Sequence, residues 1–139
     1  MTGGVPMTAC LDSSFLFDLL AGEPSALAVA AGLEPPIVVS ALSFYELLPG
    51  ETSRKRIEMV EGFARSFAVV PVSYEVCSLG AEIQTRLRGR GEAIPKFDAL
   101  LAATSILVGA PLVTADEHFR RIPPEFALSI LEYRRGSAS

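Results

Sequence analysis

The sequence predicts one three-layer α/β domain, a parallel sheet covered by helices on both faces. Three observations carry that reading. Short apolar or β-branched runs alternate with helical segments, the pattern of strands buried on both faces and joined by helical crossovers. The stretch from Phe97 to Val108 is apolar or small at nearly every position, as in a helix buried all round. A length of 139 residues suits one domain with a substantial core and leaves no room for two ordinary ones.

Taken in order, Met7 to Leu11 forms the first strand and ends at Asp12, where Asp12 or Ser13 caps a helix from Ser14 to Leu20. Gly22-Glu23-Pro24 breaks that helix, and an alanine-rich one follows from Ser25 to Leu33. Pro35-Pro36 leads into the strand Ile37-Val38-Val39. Ser40 then caps a helix that carries Phe44, Glu46, Leu47 and Leu48 and stops at Pro49-Gly50. Ser53 opens an amphipathic helix reaching Ser66, the strand Phe67 to Val70 is closed by Pro71, and Ser73 to Arg88 is helical. Pro95 suits the first turn of the buried helix, and Gly109 with Pro111 ends it. The strand Leu112-Val113-Thr114, a helical turn from Glu117 to Arg121 and a last strand from Ala127 to Ile130 complete a domain spanning residues 7–133. Residues 1–6 and 136–139 read as flexible ends.

Composition removes several function classes. Cys10 and Cys77 match no zinc-ligand spacing, and His118, the single histidine, argues against a histidine-based metal site. No charged, apolar leader opens the chain, so a reducing cytoplasm is the expected compartment. The longest apolar run, Ala99 to Val113, is interrupted and falls short of the ~20 residues that span a membrane. A net charge of −4 gives no global basic field, so any contact with nucleic acid must be local. With 50% hydrophobic residues and a mean hydropathy of +0.38, apolar surface is left over for a partner or a dimer.

Four acids stand out by position. Asp12 closes the first strand, Asp116 follows the fourth, Asp98 opens the buried helix, and Glu46 lies behind the second strand. Parallel strands bring their carboxyl ends to one edge, where ligands bind, so Asp12 and Asp116 share that edge and Asp98 can reach it. Carboxylates gathered there repel one another unless a cation sits among them. Oxygen donors without Cys or His suit Mg²⁺ or Mn²⁺, ions that activate water and stabilise charge on a phosphoryl oxygen. Each acid also has a plainer reading: Asp12 as a helix cap, Asp98 as a charge favoured at a helix N-terminus, Asp116 as a turn residue and Glu46 as a solvated position.

In these segments the chain resembles the PIN-domain ribonucleases, most closely the VapC-type toxins of prokaryotic toxin–antitoxin pairs. The matching stretches are Leu11-Asp12-Ser13-Ser14, Val39-Ser40 through Glu46-Leu47, Phe97 to Ala103, and Val113-Thr114-Ala115-Asp116-Glu117-His118-Phe119. The resemblance implies a five-stranded parallel sheet and a Mg²⁺- or Mn²⁺-dependent endoribonuclease, with Asp12, Glu46, Asp98 and Asp116 as the acidic site and Asp12, Asp98 and Asp116 as metal ligands. It also implies an RNA substrate, a cognate antitoxin and a homodimer, with the helices Ser14 to Leu20 and Ser53 to Ser66 offering the surfaces to be covered. Ser14 stands where the family often has Asn, and His118 where many members have a second acid. Ser14 can still bond a carboxylate, while His118 reads more readily as a surface residue beside Phe119 than as a ligand. Ser13 and Thr114 are candidates for orienting the carboxylates. Arg86, Arg88, Arg90, Lys96, Arg120 and Arg121 are the local cations that could guide RNA. Receiver and haloacid-dehalogenase readings fail because Asp12-Ser13-Ser14 lacks the further acid each requires. The competing reading is a catalytically silent PIN-like module that only binds RNA or protein.

Overall fold

A computed structural model describes residues 9–48, 50 and 53–136. The expected lead-in 1–6, the Met7-Thr8 start of the first strand, Pro49 and the tail 137–139 lie outside the described residues. The elements run β1 (Ala9–Leu11), α1 (Ser13–Leu20), α2 (Pro24–Ala31), β2 (Ile37–Ser40), α3 (Ala41–Leu47), α4 (Arg54–Ser66), β3 (Ala68–Val70), α5 (Tyr74–Gly89), α6 (Lys96–Val108), β4 (Leu112–Thr114) and β5 (Ile130–Glu132). Two short 3-10 turns, Glu117–Arg121 and Pro124–Phe126, lie between β4 and β5. Serine caps do what their positions promise: Ser40, Ser53 and Ser73 accept from the backbone N–H of Leu42, Arg56 and Val76.

The strands form one parallel five-stranded sheet in the order β3-β2-β1-β4-β5. Alternation along each strand divides the core. Cys10, Val38 and Leu112 pack with Ile83, Leu87, Leu101 and Ala102 of α5 and α6 on one face. Ala9, Leu11, Val39 and Val113 pack with Phe15, Leu16, Ala26, Leu47 and Val60 of α1 to α4 on the other. Because β1 leads outward to β2 on one side and is flanked by β4 on the other, the order of connection reverses between β1 and β4. A crevice opens at the carboxyl ends of the strands at such a reversal.

Three differences from the sequence reading have physical causes. The last strand lies three residues later than expected, because Pro123 and Pro124 start a 3-10 turn and Ala127 takes a left-handed φ of 60°. Pro95 occupies the cap position of α6 and Lys96 begins the helix. That helix is not buried all round: Leu107 is half exposed, while Ala99 and Leu101 to Ser105 are buried. Gly109 ends it in the left-handed conformation that a side chain would resist. The chain's end folds back on its beginning. Tyr133, just past β5, is buried edge-on against Phe15 at 4.9 Å and donates its hydroxyl to Asp18 at 2.7 Å, and Arg135 pairs with the same carboxylate.

Candidate active site

At the crevice between β1 and β4 the structure gathers Asp12, Glu46, Asp98 and Asp116 around a cleft of about 200 Å³, with Ser13, Ser14 and Phe17 completing its lining. Each acid arrives on a different element. Asp12 follows β1 and Asp116 is the second residue after β4, so both stand at the carboxyl edge. Asp98 comes from the first turn of α6 in one helical layer, and Glu46 from α3 in the other.

Asp12 sits at the cap position of α1, but its carboxylate does not cap that helix. Oδ2 accepts instead from the hydroxyls of Ser14 at 2.9 Å and Thr114 at 2.7 Å. Register explains the second bond. Leu11 pairs with Val113 across the parallel ladder, which sets Asp12 beside Thr114. Thr114 Oγ1 also accepts from the backbone N–H of Asp116 at 3.0 Å, so one hydroxyl links the two acids. Ser13 donates to Glu46 Oε1 and lies 2.9 Å from the Ser43 hydroxyl, tying α1 to α3. Ser14, Ser13 and Thr114 therefore orient carboxylates as their types suggest. Ser43 is a residue that sequence reasoning missed, although its place one helical turn before Glu46 puts both on one face of α3.

His118 keeps a partly exposed side chain, but it is not a bystander beside Phe119. Its Nδ1 lies 3.2 Å from Asp98 Oδ2 and 3.1 Å from Asp116 Oδ1, in the acidic cluster itself. The turn Glu117–Arg121 brings it there: Asp116 caps this turn by accepting from the His118 backbone N–H at 2.9 Å. Phe119, the neighbour expected to share a surface with it, is buried in the core.

The electrostatics show how costly this gathering is. Burial pushes the Asp98 carboxyl up to about 6, helped by the charges of Asp12 and Asp116 and opposed by His118. Burial raises Asp12 as well, against the pull of the Thr114 and Ser14 hydroxyls. Burial holds these two neighbouring carboxyls above their ordinary range, and the oxygen donors around them suit a hard divalent cation. By donor chemistry and electrostatics the residues fit such an ion.

The basic residues divide. Arg86 pairs with Glu125, Arg90 with Glu92, and Arg120 with Glu132, while Arg121 donates to the Ala93 carbonyl. Arg88 and Lys96 are exposed and have no ion pair or side-chain hydrogen bond among the described residues. Both line a groove of about 280 Å³ between α5 and α6, beside the helix turn that carries Asp98.

A family model for the PIN domain matches residues 9–124, which include all four acids and every strand but the last. The chain belongs to the PIN-domain family. Among proteins similar to this PIN domain is Ribonuclease VapC19 of Mycobacterium tuberculosis, 31% identical over 117 residues that cover 81% of this chain and 93% of that protein. Among solved structures, DNA-bound VapBC from Salmonella typhimurium has a TM-score of 0.77 at 18% identity, covering 91% of this chain and 98% of its own. VapBC2 from Rickettsia felis, bound to a promoter DNA fragment, has a TM-score of 0.75 at 21% identity, covering 92% of this chain and 100% of its own. The parallel sheet between two helical layers is the PIN fold of these structures.

Proposed function

We propose that this chain is a divalent-metal-dependent endoribonuclease and the toxin of a toxin–antitoxin pair. One observation carries the reading: a PIN-domain cleft lined by Asp12, Glu46, Asp98 and Asp116, in which burial and the neighbouring acids raise the pKa of Asp98 to about 6. Asp12, Asp98 and Asp116 hold the ion, Mg²⁺ or Mn²⁺. Thr114 and Ser14 fix the Asp12 oxygens, and Ser13 holds Glu46 at the opposite wall, where it tunes the cluster and orients water. Bound there, the ion supplies activation of the attacking water and neutralises charge developing on the scissile phosphate. Arg88 and Lys96, without ion pairs among the described residues, take the flanking phosphates of the RNA. The mycobacterial relative is named a ribonuclease, which supports the same chemistry here.

The partners follow the same reading. The VapBC proteins, to which the similar structures belong, are a family of toxin–antitoxin systems, which supports a small antitoxin partner for this chain. The exposed Phe17 of α1, and Ile57 and Met59 of α4, offer it apolar surface. An Arg or Lys of that partner entering the cleft would pair with the carboxylates and stop the reaction. The working form is a homodimer in the cytoplasm, where the exposed Cys77 stays a thiol.

Cleavage of a structured-RNA panel including tRNA, with and without EDTA, tests the activity. Asp98→Asn should lower the Mn²⁺-dependent rate at least ~100-fold, the scale for removing one preorganised electrostatic interaction. Full cleavage by a pure, folded Asp98→Asn preparation would overturn the assignment. RNA binding without cleavage in the wild type would leave the silent module.

A further inference from the structure

We propose that His118 is itself a ligand of the divalent ion, through Nδ1, and that it biases this cleft toward Mn²⁺ over Mg²⁺. The inference rests on the metal-dependent reading above and adds a nitrogen to its donor set.

The argument is geometric. Asp98, Asp116 and His118 each present one donor atom, and these atoms lie within 4.8 Å of one another. Nδ1 is 3.2 Å from Asp98 Oδ2 and 3.1 Å from Asp116 Oδ1. Neighbouring donors on an octahedral ion, each ~2.1 Å from the metal, stand ~3.0 Å apart, so both spacings match edges of one coordination shell. The ring converges on oxygens from two separate elements, α6 and the turn after β4, and not on one local acceptor. Its approach is fixed from behind, because the backbone N–H of His118 is bonded to Asp116 and Phe119 anchors the turn in the core. Ligation uses the Nδ1 lone pair, which puts the ring proton on Nε2.

The chemical consequence is selectivity. Mg²⁺ takes oxygen donors and is a poor partner for imidazole, whereas affinity for nitrogen rises from Mn²⁺ onward through the first-row divalent ions. An acid at this position would add a fourth carboxylate to the ligand set of Asp12, Asp98 and Asp116 and favour Mg²⁺. The imidazole replaces that charge with a softer, neutral donor.

The test uses tag-free protein, because His118 is the sole histidine of the chain. Pulsed EPR of bound Mn²⁺ should show imidazole ¹⁴N coupling that changes to the ¹⁵N pattern when the protein is made with ¹⁵N-histidine. This measurement needs no substitution and therefore no assumption about a variant's folding. In parallel, competition titration should show the Mn²⁺-to-Mg²⁺ affinity ratio falling at least ~10-fold in His118→Asp. Bound Mn²⁺ without histidine coupling, or an unchanged ratio in a folded His118→Asp, would overturn the ligand while leaving the metal-dependent nuclease intact. Absence of any Mn²⁺ binding by the wild type would overturn both.

Discussion

Asp98 reports the charge state of the cleft, because burial, Asp12 and Asp116 all act on its carboxyl. In metal-free protein its pKa is raised to about 6 from 3.8, so the folded state holds the proton more tightly than the unfolded one. The stability this contributes is complete below pH 3.8 and is lost as pH rises through about 6. Melting in EDTA from pH 4 to 7 should therefore show a falling contribution, read as the difference between wild type and Asp98→Asn. With Mn²⁺ the sign reverses, since the ion competes with that proton and binds better as pH rises. At about 100 times its dissociation constant the ion adds ~2.7 kcal/mol, a shift of roughly 5–15 °C for a domain near this size. Identical pH slopes for wild type and Asp98→Asn in EDTA would remove Asp98 from this role.

The helix that carries Asp98 is held in place by its packing on α5, and Gly80 of α5 faces its first turns closely. A methyl group there would stand 3.1 Å from Leu100 Cδ2 and 3.4 Å from the Ala99 carbonyl oxygen. Gly80→Val should cost about 1–3 kcal/mol by overpacking and, by displacing the turn that follows Asp98, weaken Mn²⁺ binding as well. Gly80→Ala regains about 1 kcal/mol of helix propensity and should come out nearly neutral. Calorimetric melts with Mn²⁺ titrations check both; a Gly80→Val protein with unchanged melting and affinity would mean that α6 shifts freely. The sheet itself was legible beforehand, since runs such as Ile37-Val38-Val39 and Leu112-Val113-Thr114 admit little but a buried strand. Glu46, well inside α3, was marked by its apolar neighbours and the family resemblance, whereas Asp12, Asp98 and Asp116 were legible because strand ends and helix starts are fixed by local sequence. His118 was not. Nothing local distinguishes a solvated imidazole from one set between two carboxylates, and the bond that decides it comes from α6, 20 positions away. The final strand was misplaced for the converse reason: Ala127 to Ile130 has a strand's composition, but a left-handed turn occupies its start.

The molecule is acidic overall, with a net charge of −4, yet Arg88 and Lys96 line one groove without ion pairs among the described residues. Removing one phosphate-binding cation should reduce the dependence of log K on log salt by about 1, so Arg88→Ala with Lys96→Ala should lower that slope by about 2. Fluorescence titration with single-stranded RNA in EDTA, from low to moderate salt, measures it. An unchanged slope would move the RNA path away from α5 and α6. The strand order has a consequence for the protein's own synthesis. β1 is made first but lies at the centre of the sheet, and its edge toward β4 stays open until the last quarter of the chain exists. Thr114 meets Asp12 across 102 positions, and Tyr133 meets Asp18 across 115. At ~5–20 residues per second, about 5–20 s of translation separate Asp12 from Thr114. Throughout that interval a growing chain has Asp12 but not Asp116, so its cleft cannot assemble until β4 and the turn after it have been made.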